Sequence, residues 1–111
     1  MTYDEGLADR VRELLASEQG VTEQRMFGGL AFLIRGNMAV AASREGGILV
    51  RVDPATSSKL VATTKARPMV MRGKAMHGWL RVDAPDVREK RQLARWVRRG
   101  LGYAGGLPPK R

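Results

Sequence analysis

The stretch Leu30-Ala31-Phe32-Leu33-Ile34-Arg35-Gly36-Asn37-Met38-Ala39-Val40-Ala41-Ala42, followed after a glycine-ended turn by Ile48-Leu49-Val50-Arg51-Val52-Asp53, decides the fold. Apolar residues recur at every second position, through Leu30, Phe32 and Ile34, then Met38, Val40 and Ala42, then Ile48, Val50 and Val52. A period of two marks strands with one face buried. Gly36-Asn37 tolerates positive φ, as a two-residue hairpin loop requires, and Arg44 to Gly47 supplies a longer second connection. The segment predicts a three-strand antiparallel meander.

Working outward, the N-terminal residues predict a helix from Tyr3 to Gln19. Thr2-Tyr3-Asp4-Glu5 has the form of a capping box, and Leu7, Ala8, Val11, Leu14 and Leu15 share one stripe. Gly20 supplies the left-handed residue that closes it. Thr22 to Phe27 predicts a short first strand, with Gly28-Gly29 allowing a bend before the meander. Asp53-Pro54 ends the meander and opens a short helix over Ala55 to Thr64. Pro68 to Arg72 and Met76 to Val82 predict a second hairpin around Gly73-Lys74-Ala75. Asp86 to Glu89 reads as another capping box, opening a last helix that runs to about Leu101. The fold class is α+β, ordered α-β(3)-α-β(2)-α, with one antiparallel sheet carrying its helices on a single face.

Length and composition bound the function. At 111 residues the chain makes one domain, expected over residues 1–104, with a flexible basic tail over 105–111. It contains no cysteine, which excludes disulfides and thiolate chemistry and agrees with a cytoplasmic location. No apolar run approaches the roughly 20 residues of a membrane span. The net charge of +9 is unevenly spread: residues 1–24 hold six acids against Arg10 and Arg12, and the remainder holds eighteen Lys and Arg against five acids. Such asymmetry argues for affinity towards anionic partners and says nothing about fold.

Catalytic constellations are missing. With no cysteine and only His77, a Cys–His pair is impossible, and no Gly-x-Ser-x-Gly elbow accompanies the histidine. His77 reads as an ordinary strand residue. Gly73-Lys74 lacks the leading glycine and trailing hydroxyl of a phosphate loop. No metal-ligand spacing occurs. The sequence therefore predicts no enzyme, no catalytic residue, no metal and no cofactor.

Two surfaces remain as binding candidates. Projected at 100° per residue, Arg88, Arg91, Arg95, Arg98 and Arg99 of the last helix share one arc, and Val87, Leu93, Trp96, Val97 and Leu101 fill the opposite one. Guanidinium groups suit bidentate contact with carboxylate or phosphate. The row reads as a solvated face, as a docking face for the acidic first helix or a partner subunit, or as a polyanion site; Trp96 reads as core. On the sheet, Leu30, Phe32, Ile34, Met38, Val40, Ile48, Val50 and Val52 are assigned to the helix side. That leaves Leu33, Arg35, Ala39, Ala41, Leu49 and Arg51 on the far face, joined by Trp79 and Arg81. Arg35, Arg51, Trp79 and Arg81 are the candidate partner surface there, set against a lightly covered outer face.

The run Arg25-Met26-Phe27-Gly28-Gly29-Leu30 resembles the N-terminal domain of the TfoX/Sxy family, as do Ile48 to Asp53 before a short helix, Trp79 before Val82-Asp83, Pro85, and Trp96 in the last helix. The resemblance extends from Tyr3 to about Ala104 and implies the α-β(3)-α-β(2)-α arrangement. It implies a regulator of natural competence genes that assists a cyclic-AMP receptor protein at promoters without chemistry of its own. Full-length regulators carry a second, helical C-terminal domain, so the expectation here is a stand-alone N-terminal domain. The expected function is a cytoplasmic, homodimeric, non-enzymatic co-regulator of transcription acting by protein contacts, with a protein partner such as a transcription factor. The alternative is a weak, sequence-independent binder of nucleic acid using the last-helix arginines.

Overall fold

Two Arg-Gly turns and a bulge opposite Phe32/Leu33 set the course of the sheet in the computed structural model, which describes residues 3–26 and 28–110. The strands are β1 Val21–Met26, β2 Gly29–Ile34, β3 Asn37–Ala42, β4 Ile48–Arg51, β5 Arg67–Met71 and β6 Lys74–Val82. The helices are α1 Glu5–Leu14, α2 Pro54–Thr63 and α3 Lys90–Gly105, with a 3-10 turn over Ala84–Val87 before α3. The strands form one antiparallel sheet in the order β1-β2-β3-β4-β6-β5. The architecture is the expected α+β one; the short strand ahead of the meander becomes an edge of the sheet, and Phe27 lies outside the described residues.

Both hairpin loops fall earlier than their sequence suggests. In the first, Arg35 (φ 49°) and Gly36 (φ 85°) are the central residues, and Ile34 pairs with Asn37. In the second, Arg72 (φ 54°) and Gly73 (φ 78°) turn the chain, and Met71 pairs with Lys74. Asn37, expected in the turn, instead starts β3 and is buried, its amide donating to the Pro108 carbonyl at 2.9 Å. A two-residue hairpin loop needs positive φ at both positions, for which asparagine is the usual non-glycine choice. Arg35 takes the strained position because tertiary bonds hold it. Its amide donates to the Gly20 carbonyl at 2.9 Å, and its guanidinium donates to the Gly105 carbonyl at 2.6 Å.

The bulge lies between these loops. Phe32 pairs with Val40 and Leu33 with Met38, which leaves Ala39 without a partner on β2. An extra residue reverses the faces on one side of it. Met38, assigned by alternation to the helix side, therefore sits on the far face with Ala31, Ala41 and Leu49, and Ala39 turns to the helix side with Ile34 and Ala104. Arg35, also expected on the far face, is consumed by the turn.

The helix-side core joins Leu7 and Val11 of α1, Phe32, Val40, Ile48, Val50 and Val82 of the sheet, and Leu93, Trp96 and Val97 of α3. Each such side chain contributes about 1.5–3 kcal/mol by leaving water. Several helix boundaries differ from expectation, among them the end of α3, which runs to Gly105 and not only to about Leu101. α1 begins after Asp4, whose carboxylate accepts from the Leu7 amide at 3.1 Å, and Thr2 of the expected capping box lies outside the described residues. It ends at Leu14 rather than Gln19, because the chain tightens into turns in which Ala16 bonds Glu13 and Glu18 bonds Leu15 before Gly20 (φ 80°). α3 begins at Lys90, where the Glu89 amide donates to the Gln92 side chain at 3.0 Å; Ala84–Val87, including Asp86, forms the 3-10 turn instead.

The segment after α3, expected as a flexible basic tail, makes hydrogen bonds to the first hairpin. Lys110 donates its amide to the Arg35 carbonyl at 2.9 Å, beside the Asn37–Pro108 bond, and Arg111 lies outside the described residues.

Candidate functional site

α3 is an amphipathic helix whose two sides have different chemistry. Leu93, Trp96, Val97, Gly100 and Ala104 are buried, and Arg91, Arg95 and Arg98 are exposed. Arg99 lies half-buried, with its guanidinium 4.4 Å from the centre of the Trp96 ring. That distance is a cation–π contact, in which the positive group rests on the negative face of the indole. Burial, with the neighbouring Arg95 charge, pushes the Arg99 pKa down. Arg88 is exposed but precedes the helix; its carbonyl accepts from the Arg10 guanidinium at 2.8 Å. The predicted row of five thus becomes four on α3, with Arg88 at the connection.

The acids of the N-terminal segment do not engage this row. Among the described residues the ion pairs are Arg12 with Asp9 and Glu23, Arg67 with Asp83, and Arg81 with Glu45. Glu23 accepts from the Nε and Nη2 of Arg12, at 2.6 and 2.8 Å, and the guanidinium holds its carboxyl below the usual range. Among the described residues no carboxylate pairs with the four α3 arginines.

α2 adds to this surface, which the sequence reading did not foresee. A groove of about 710 Å³ runs between α2 and α3, lined by Asp53, Thr56, Lys59, Leu60 and Thr63 on one side and Arg98, Arg99 and Tyr103 on the other. A smaller recess of about 230 Å³ continues it past Lys65, Arg95 and Trp96, with Asp86 at its edge. The signal was faint because α2 has little amphipathic pattern: its only buried residue is Ser57. The helix stands where it does because the Asp53 carboxylate caps it, accepting from the Ala55 amide at 2.9 Å, and Pro54 fixes its first turn.

Among the described residues the far face of the sheet carries no helix, and its side chains meet one another instead. Met26 of β1 and Met69 and Met71 of β5 come from opposite edges yet line one cavity of about 270 Å³, so the sheet is curled into a trough. Trp79 stands in that trough opposite Arg51 on β4, whose guanidinium lies 5.2 Å from the Trp79 ring and 5.7 Å from the Tyr103 ring. Arg81 lies on the same face but is committed internally, donating to Ser43 Oγ at 3.1 Å and pairing with Glu45 at 3.2 Å. Of the four residues expected as a far-face partner surface, the structure brings Arg51 and Trp79 together, gives Arg81 an internal role, and places Arg35 in the turn.

His77 is an exposed residue of β6. Among the described residues no cluster of histidines and carboxylates has the grouping of a metal site, and no helix is long and apolar enough to cross a membrane.

The family model of the TfoX N-terminal domain matches residues 13–104. The chain belongs to this family. The match begins in the last turn of α1 and ends in α3, so both the α2–α3 groove and the curled sheet lie within the TfoX N-terminal domain. Comparison with curated proteins gives no match.

Proposed function

We propose that this TfoX N-terminal domain is a non-enzymatic regulatory module, a transcription co-regulator of the competence type, that works by holding an acidic protein partner on its α2–α3 face. One observation carries the reading: Arg95, Arg98 and Arg99 of α3 line the groove and its continuation, Arg91 extends their row, and none of the four has a carboxylate partner among the described residues. Guanidinium groups offer paired donors that match carboxylate geometry. Leu60, Tyr103 and Trp96 put apolar surface between those charges. A cleft with an apolar floor and a basic rim suits an amphipathic acidic segment, whose apolar residues enter while its carboxylates meet the rim.

Arg91 lines neither recess and extends the row along the helix, which favours a second reading in which the same side chains follow a nucleic-acid backbone. Such contacts position a protein on nucleic acid without reading its sequence.

Affinity capture with the native chain and with the Arg91→Glu/Arg95→Glu/Arg98→Glu variant, before and after nuclease, tests both. The proposal expects an acidic protein that stays bound after nuclease and is lost from the variant. Retention that disappears with nuclease and falls steeply between about 50 and 200 mM salt selects the nucleic-acid reading. Equal retention by the variant in every condition removes both.

A further inference from the structure

We infer that the curled face of the sheet is a binding site for a small amphipathic carboxylate, with its apolar body among methionines and its charged head against Arg51 and Lys110. This site opens on the other face of the sheet from the α2–α3 groove and is tested separately from it; Tyr103, which lines the groove, lies 5.7 Å from the Arg51 guanidinium at the boundary of the two.

The distribution of methionine is the first observation. The chain has six, and Met26, Met38, Met69, Met71 and Met76 all line the one cavity. The helix-side core, which is larger, contains none. Ordinary gap-filling does not concentrate one residue type on one side of a sheet. Thioether side chains are unbranched and polarisable, and they repack around differently shaped apolar guests at low cost. The bulge at Ala39 is what delivers Met38 to this side.

Charge is the second. Arg51 faces the cavity between two aromatic rings, and no hydrogen bond or ion pair among the described residues uses its guanidinium. Lys110 reaches the same cavity from the segment pinned to Arg35. The acids on this side are already engaged, Glu45 with Arg81 and Asp83 with Arg67. Two cations at an apolar mouth attract an anion. They also oppose a soft metal ion, the other guest that thioethers favour.

Size is the third. A cavity of about 270 Å³ lies at the small end of the range of ligand pockets, which fits a short acyl or aromatic acid and not a peptide helix.

The test is a titration of the full chain, carrying methyl-labelled methionine, with octanoate and with 1-octanol as the uncharged analogue, read by methyl NMR. Saturable octanoate shifts at Met38, Met69 and Met71 are expected, with weaker binding of octanol. Arg51→Gln is expected to reduce octanoate affinity about tenfold and to leave octanol unchanged. Lys110→Gln, which leaves the ring contacts of Arg51 intact, provides the same comparison should Arg51→Gln disturb the fold. No saturable shift, equal binding of octanoate and octanol, or stoichiometric shifts with silver ion and none with octanoate would each overturn the proposal.

Discussion

Gly100 of α3 rests directly on the main chain at Ala39: a Cβ built on the glycine would meet the Ala39 carbonyl oxygen at 2.4 Å and its carbon at 3.1 Å. The helix can cross the sheet this closely because the bulge turns Ala39 towards it and because Gly100 has no side chain. Gly100→Ala gains about 1 kcal/mol of helix propensity but must push two backbones apart. Overpacking of this kind costs about 1–3 kcal/mol, occasionally more. A net destabilisation is expected, seen as a lower urea midpoint; an unchanged or higher midpoint would show that α3 moves freely on the sheet.

Arg35 makes a different demand. Its φ of 49° disfavours a branched Cβ, and its guanidinium ties the first hairpin to the Gly105 carbonyl at the end of α3, where a positive charge also meets the negative end of the helix. Arg35→Val loses both and is expected to cost about 1–3 kcal/mol. Arg35→Gly keeps the backbone conformation and loses only the side-chain bond, so it should be milder. Thermal melts rank the pair, and faster amide exchange at Lys110 should accompany the loss; equal melting of the two variants would contradict the account.

Acid should loosen two surface ties. Side-chain bonds from Arg12 lower the Glu23 pKa, and those from Arg67 lower that of Asp83, each against a smaller opposing effect of burial. A folded pKa below the unfolded one means stability that is fully present above the unfolded value, about 4.3 for Glu and 3.9 for Asp, and lost as pH falls through the folded value. Both pairs are solvent-exposed, so the effect is small. Glu23→Gln/Asp83→Asn should therefore flatten the drop in Tm between pH 5 and about pH 3. The same drop in native and variant chains would show that these pairs contribute nothing.

The periodic parts of the sequence revealed most of the fold, and the failures have specific causes. Alternation through Phe32, Val40, Ile48 and Val50 assigned the helix side correctly, since a strand has only two faces. Met38 broke the pattern because a bulge is set by how two strands meet and leaves no mark in one strand's alternation. The hairpin loops were misplaced because Asn37 is the better local turn residue, whereas Arg35 owes its place to bonds with Gly20 and Gly105, far away in the chain. On α3, helical projection found Arg91, Arg95, Arg98 and Arg99 and set Trp96 in the core. It could not find Lys59 and Lys65, which join that surface only after α2 packs beside it. The methionine trough was invisible for a related reason: its lining is drawn from six strands, and only the curl of the sheet assembles it.

The α3 row acts either as a shaped surface or merely as bulk positive charge, and a matched pair of charge reversals separates these. One variant carries Arg91→Glu, Arg95→Glu and Arg98→Glu; the other carries Arg25→Glu, Arg44→Glu and Lys74→Glu, at exposed positions away from α3. Each replaces three cations by three anions and lowers the +9 net charge equally. Retention of the nuclease-resistant partner, measured for both at one salt concentration, should collapse for the α3 variant and persist for the other. Equal loss in both would contradict a defined contact surface and reduce the interaction to net charge.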